Sequence, residues 1–192
     1  MPAVAIIYFS GQGHTHQLAE AVAEGATGVA GTTAELVRIV GEDIVNGRWK
    51  NADAMSKLNA ADAIVFGTPT YMGGYAAQFK AFIDTSSEVW MKQGWKDKLA
   101  AGFTHSQNLS GDKQSTLIGL WVNAMQHGMV WVSPAAPVEG YEADQVNRLA
   151  GYAGVMAQTP WGTERVSDGD RRTAALLGAR IAEAAARWAK GT

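Results

Sequence analysis

The feature that most constrains this chain is a repeated pairing of a short apolar run with a segment of helical spacing. Val4 to Phe9, VAIIYF, is β-branched and aromatic almost throughout, the pattern of a strand buried on both faces. Thr15 to Ala30 follows, with Leu18, Val22 and Ala26 at helical intervals. The pairing recurs. Ala34 to Val40 reads as a strand before a short helix at Ala52 to Asn59, Ala63 to Phe66 as a strand before a helix at Ala76 to Ser87, and Leu99 to Thr104 as a strand before a helix at Gln114 to His127. Met129 to Val132 supplies a fifth strand, and Arg171 to Lys190 closes the chain as an Ala-rich amphipathic helix. Five strands alternating with five helices predict an α/β fold in three layers, a parallel sheet with helices on both faces.

At 192 residues the chain has room for one sizeable core, so residues 1–192 are expected to form a single domain. The connection from Ser133 to Asp170 is longer than an ordinary one and is either functional or partly structured. With no cysteine, the chain has no disulfide framework, thiol nucleophile or cysteine-ligated metal. A net charge of -2 with scattered Lys and Arg gives no basic face for nucleic acid. The apolar run near the N-terminus has no basic flank and is too short for a signal segment or a membrane span, so a cytoplasmic protein without membrane insertion is expected.

In open parallel sheets ligands bind beyond the carboxyl ends of the strands, where the strand order reverses. In the order 2-1-3-4-5, three loops would meet there: Ser10 to His14, Gly67 to Gly74 (GTPTYMGG) and His105 to Asp112 (HSQNLSGD). All three are rich in glycine, hydroxyl or amide groups. The first opens a helix, where free N–H groups and the helix dipole favour an anion. Ser10 and Thr15 add hydroxyls, while Gly11 and Gly13 admit close approach of the backbone. Because the first Lys or Arg of the chain is Arg38, the expected ligand is a phosphate held by neutral donors. The competing reading is a plain helix start with Ser or Thr as N-cap.

Other chemistries fit less well. G-x-G-x-x-G is incomplete, with His16 at the third glycine position, and neither a Walker pattern nor G-x-S-x-G occurs. His14 and His16, two residues apart on a helix start, face different ways, so no metal site is expected.

Together the segments YFSGQGHT, AEAVAEGA, FGTPTYMGGYAAQFKAFID, KLAAGFTHS, HGMVWV and TPWG resemble the flavodoxin-like NAD(P)H:quinone oxidoreductases of the tryptophan-repressor-binding-protein type, over nearly the whole chain. The resemblance implies a flavodoxin-like three-layer sandwich with a five-stranded parallel sheet. It also implies one FMN per subunit, NAD(P)H as electron donor, two-electron reduction of quinones and a homodimer or homotetramer. By motif position, Ser10, Gly11, Gln12, Gly13, His14 and Thr15 would hold the phosphate. Pro69, Thr70, Tyr71, Met72 and Gly73 would flank the ring, and His105, Ser106, Gln107, Asn108, Leu109 and Ser110 would cover it and the ribityl chain. His127 and Trp90 would lie near the ring's exposed face, His127 able to hydrogen-bond or protonate a quinone oxygen. The chain differs from the family's usual residues at Gln12, Tyr71 and Met72, and in its fourth loop, which is not a run of glycines. One shared face for nicotinamide and quinone implies a ping-pong order. A non-catalytic flavodoxin-type electron carrier and a flavin-dependent adaptor protein are the alternatives.

Overall fold

A computed structural model describes residues 1–190. The first half comprises β1 (Ala3–Phe9), α1 (His14–Thr27), β2 (Thr33–Ile39), a hairpin of β3 (Ile44–Val45) and β4 (Arg48–Trp49), and α2 (Ala52–Ala60). Then come β5 (Ala63–Tyr71), β6 (Gly74–Tyr75), α3 (Ala77–Thr85), the short α4 (Ser87–Trp90), β7 (Leu99–Ser106) and α5 (Lys113–Gln126). The chain continues through β8 (Val130–Trp131) and β9 (Val155–Gln158) to α6 (Asp168–Lys190).

The main sheet runs β2-β1-β5-β7, all parallel, and β7 carries a fifth position on its far edge. This is the flavodoxin-like order 2-1-3-4-5, with one change. The fifth position is shared by two short strands in series: β8 pairs with the start of β7 (Leu99↔Val130) and β9 with its end (Ser106↔Gln158). The stretch from Ser133 to Asp170 is therefore not one irregular connection. The chain leaves the sheet edge after Trp131 and returns at Val155, and Trp131 Nε1 donates to the Ala153 carbonyl across the gap at 2.8 Å. Asn147 ties the excursion down, donating through Nδ2 to Ala136 O and accepting from Gly151 N.

Consecutive residues of a strand point to opposite faces, so a sheet covered on both sides needs apolar residues in unbroken runs. In β1, Ile6 and Tyr8 face α1 and α6 together with Leu18, Val22, Leu177 and Ile181. Ile7 faces the other layer with Phe66, Phe79, Phe82, Leu117 and Leu120. α1 and α6 cross closely because Gly25 and Gly178 lack side chains: a Cβ on Gly178 would overlap the Val22 carbonyl, and one on Gly25 the Ala175 carbonyl. Both core layers stop at the carboxyl ends of β1, β5 and β7, where the polar loops begin. No helix of the described residues is long and apolar enough to cross a membrane.

Candidate active site

The three loops meet in a cleft of about 560 Å³. Gly11, Gln12, His14 and Thr15 line one side, Pro69 to Gly73 a second, and His105 to Asn108 with Gly111 and Asp112 a third, while Trp161 stands at the rim.

The first loop is built around Ser10. Its Oγ accepts from the backbone N–H of Gly13 (3.1 Å) and of His16 (3.2 Å), which folds the loop over the start of α1. Gly13 is the N-cap residue at φ 89°, a left-handed conformation that glycine adopts without steric cost. The first turn of a helix leaves its N–H groups without intrahelical acceptors. Among the described residues, those of Gly11, Gln12, His14 and Thr15 have no protein partner. No acidic side chain occupies this turn. The neutral donors have a cation nearby. Pairing Tyr8 with Arg38 across β1 and β2 brings the Arg38 guanidinium to the Ser10 carbonyl, at 3.4 Å. A cation distant in sequence thus flanks the loop.

The second wall is a hairpin. β5 runs past the expected Phe66 to Tyr71 and turns back into β6 through Met72 (φ 48°) and Gly73 (φ 80°), both left-handed as a tight hairpin turn requires. Thr70 is buried beneath it, its Oγ1 2.8 Å from both Thr104 and Thr116 hydroxyls. Tyr71 reaches over the first loop so closely that a Cβ on Gly11 would sit 2.5 Å from its hydroxyl. Met72 is fully exposed.

The third wall follows β7. Gln107 Nε2 donates to Gln12 Oε1 at 3.2 Å, joining this loop to the first. Behind it the Lys113 ammonium, 1% exposed, donates to Ser106 Oγ, Asn108 O and Leu109 O at 2.8–2.9 Å. Burial is the main cause that lowers its pKa to about 8, opposed by Asp170 and aided by Arg148. Gly111, at φ 54°, lies against Ser106 where any side chain would collide. Gln107 O accepts from Gln158 Nε2, and the Gln158 backbone is held by the buried pair of Arg148 and Asp170.

His14 and His105 stack in the wall, ring centroids 4.6 Å apart. His14 Nε2 lies 2.8 Å from Thr163 O and so carries the proton. Burial first, then His14 and Lys113, push the His105 pKa down to about 3, so the ring is neutral at ordinary pH. Its Nε2 is buried without a partner among the described residues.

Most of the expected site residues are thus brought together. Ser10 and Gly13 shape the cleft from behind its surface, while Leu109, 65% exposed, and Ser110 lie outside its lining. His127 and Trp90 do not join it within one chain. His127 follows α5 beside the start of β7, where Gly128 O accepts from Asp97 N. The cleft lies at the other end of β7, about 25 Å away at strand rise per residue. His127 is 2% exposed, packed tilted against Trp95 with ring centroids 4.5 Å apart, and its Nε2 lies 3.0 Å from Ser86 Oγ. Trp90 donates its backbone N–H to the same Ser86 and is therefore at that end too. Arg38, Lys113 and Trp161 were not assigned to the site from the sequence, and Gly111 and Asp112, though they end the HSQNLSGD loop, were not singled out. Trp161 lies in TPWG, but only the fold shows that it reaches the cleft.

Comparison with known proteins agrees with this geometry. Residues 3–141 match the family model described as NADPH-dependent FMN reductase. The chain is 40% identical over 189 residues to flavodoxin FldP of Pseudomonas aeruginosa, covering 95% of this chain and 96% of that protein. An NAD(P)H dehydrogenase (quinone) of Gluconacetobacter diazotrophicus is 32% identical, with 97% of this chain and 98% of that one covered. The crystal structure of a flavodoxin, WrbA-like protein from Agrobacterium tumefaciens is 43% identical and superimposes with a TM-score of 0.77, over 97% of this chain and 99% of the other. The chain belongs to the NADPH-dependent FMN reductase family, in its flavodoxin-like, WrbA-related branch, and is homologous to NAD(P)H:quinone oxidoreductases.

Proposed function

We propose that this cleft holds one FMN and that the protein transfers two electrons from NAD(P)H to quinones. The observation that carries the reading is the start of α1. Four N–H groups without a partner among the described residues lie at a helix N-terminus free of acidic side chains, in a loop folded around Ser10 Oγ and with Arg38 alongside. That arrangement suits a phosphate. The cleft volume falls in the range of small-ligand pockets, and the orphaned His105 Nε2 supports a polar ligand against the third wall.

When bound, FMN supplies hydride acceptance and electron donation; the protein's part is to bind, orient and admit. Gly11, Gln12, His14 and Thr15 would hold the phosphate through their N–H groups. Neutral His105 and the Gln107 to Asn108 segment would bound the ring on one side. Tyr71, Met72 and Trp161 are exposed at the cleft and would bound one open side of the ring, where nicotinamide and quinone would take turns. Initial rates with both substrates varied test this: parallel double-reciprocal lines support it, and intersecting lines refute the shared side.

Self-association fits the surface of α5, where Ile118, Trp121, Val122 and Met125 form an exposed stripe at helical spacing. We propose a homodimer or homotetramer, which light scattering can check. Trp90, 45% exposed, would meet a cleft only from a neighbouring copy. Buried His127 we assign to packing. A second reading, an electron carrier without quinone activity, is favoured by the 40% identity to a flavodoxin. Reduced protein that ignores quinones and passes electrons only to a protein acceptor would establish it.

A further inference from the structure

Lys113 is a buried cation of the site that has no ion pair of its own among the described residues. Its three acceptors are neutral oxygens, and the nearby carboxylate of Asp170 is engaged in both arms by Arg148. Lys113, Arg148 and Asp170 are all nine-tenths or more buried, so one positive charge remains uncompensated behind the third wall. Burying such a charge is costly, and the site retains it nonetheless.

The ammonium also sets the loop's orientation. It draws the carbonyls of Asn108 and Leu109 inward. No peptide bond among the described residues is cis, so the N–H groups across those peptides, on Leu109 and Ser110, point the opposite way. Neither has a protein partner among the described residues.

We propose that Lys113 is a positioning residue that fixes the orientation of this loop and gives the wall a positive charge, which an anionic ligand in the cleft compensates. The ligand is FMN under the reading above, on which this inference rests. Binding and protonation are then linked. Lys113 is already almost fully enclosed, so covering the cleft adds little desolvation and the ligand's negative charge sets the sign: it raises the lysine's affinity for a proton. The protonated form therefore binds FMN more tightly, and affinity falls as pH rises through the free protein's lysine pKa of about 8.

Other groups facing Lys113 do not titrate in that window. His105 is neutral, with its pKa at about 3, and a phosphate, with its second pKa at about 6, is mostly doubly ionised by about pH 7. Fluorescence titration of flavin-free protein with FMN tests the linkage. Affinity is expected to weaken about tenfold from about pH 7 to about pH 9, and calorimetry in buffers of differing ionisation enthalpy to show about 0.7 proton taken up per FMN at about pH 8.5. K113M should bind more weakly at neutral pH and lose both the pH slope and the uptake. The uptake measurement on unaltered protein decides the matter even if that variant does not fold. Binding without pH dependence or proton uptake, or a K113M protein that keeps the slope, overturns the role of Lys113 alone. No FMN binding at any pH overturns the proposed cofactor and this inference with it.

Discussion

Replacing Asp170 with asparagine tests how the third wall is held. The carboxylate accepts from Arg148 Nε and Nη2 at 3.0 Å each and from Gln158 N at 2.9 Å, and it is 1% exposed. The amide preserves shape while removing the charge, and its nitrogen cannot accept. Arg148 is then left buried beside Lys113 as a second unpaired cation. Breaking a buried pair from one side costs about 3–5 kcal/mol, which for a chain of this length lowers Tm by about 6–20 °C. The cost arises mostly from the abandoned arginine. Removing the arginine as well, in Arg148→Met with Asp170→Asn, should therefore cost less than the sum of the single changes, by about 2–3 kcal/mol. Urea unfolding at fixed FMN concentration measures all four proteins, and the m-value should stay unchanged. Strict additivity, or a single-variant loss below about 1 kcal/mol, would show that the pair does not hold the wall.

Three further outcomes follow from particular contacts. Gly178→Ala should destabilise by about 1–3 kcal/mol because its Cβ meets the Val22 carbonyl, while Gly41→Ala, which meets nothing within 4 Å, stays within about 0.5 kcal/mol in the same unfolding assay. Gly13→Val must force a β-branched residue to φ 89°, and the strain of about 1–2 kcal/mol should weaken FMN binding about tenfold or more by fluorescence titration. The third concerns acid. His105 and His127, lowered by burial from 6.5 to about 3 and about 4, bind protons less readily folded than unfolded. Their contribution to stability is thus intact above pH 6.5 and declines as pH falls from there toward the folded values. Denaturant midpoints across that range should fall with pH, and His127→Gln should flatten part of the slope.

The sheet order was legible because each buried strand is an unbroken apolar run and each crossover helix has its own period. The fifth strand was only half legible. VMAQ (155–158) is short and flanked by glycine and proline segments, and its strand character comes from pairing with β7 across a long excursion. The loops around Ser10, Thr70 and Ser106 could be placed by the rule that ligands sit beyond strand ends. Arg38 and Lys113 could not, since what matters about them is the partner that tertiary structure supplies: a register with Tyr8 for one, three loop oxygens for the other. His127 shows the reverse error. A histidine at a helix end looks available in sequence, but this one is enclosed by Trp95 and Ser86 at the far end of the sheet.

The most direct test of the account is an anaerobic absorbance titration of the purified protein. A flavin spectrum is predicted, its extracted chromophore having the mass of FMN, that bleaches on addition of NADH or NADPH and returns on addition of an equivalent amount of benzoquinone. Protein that carries no flavin and takes up no added FMN would contradict the assignment of the cleft. Flavin that pyridine nucleotides do not bleach would contradict the enzyme and leave the carrier.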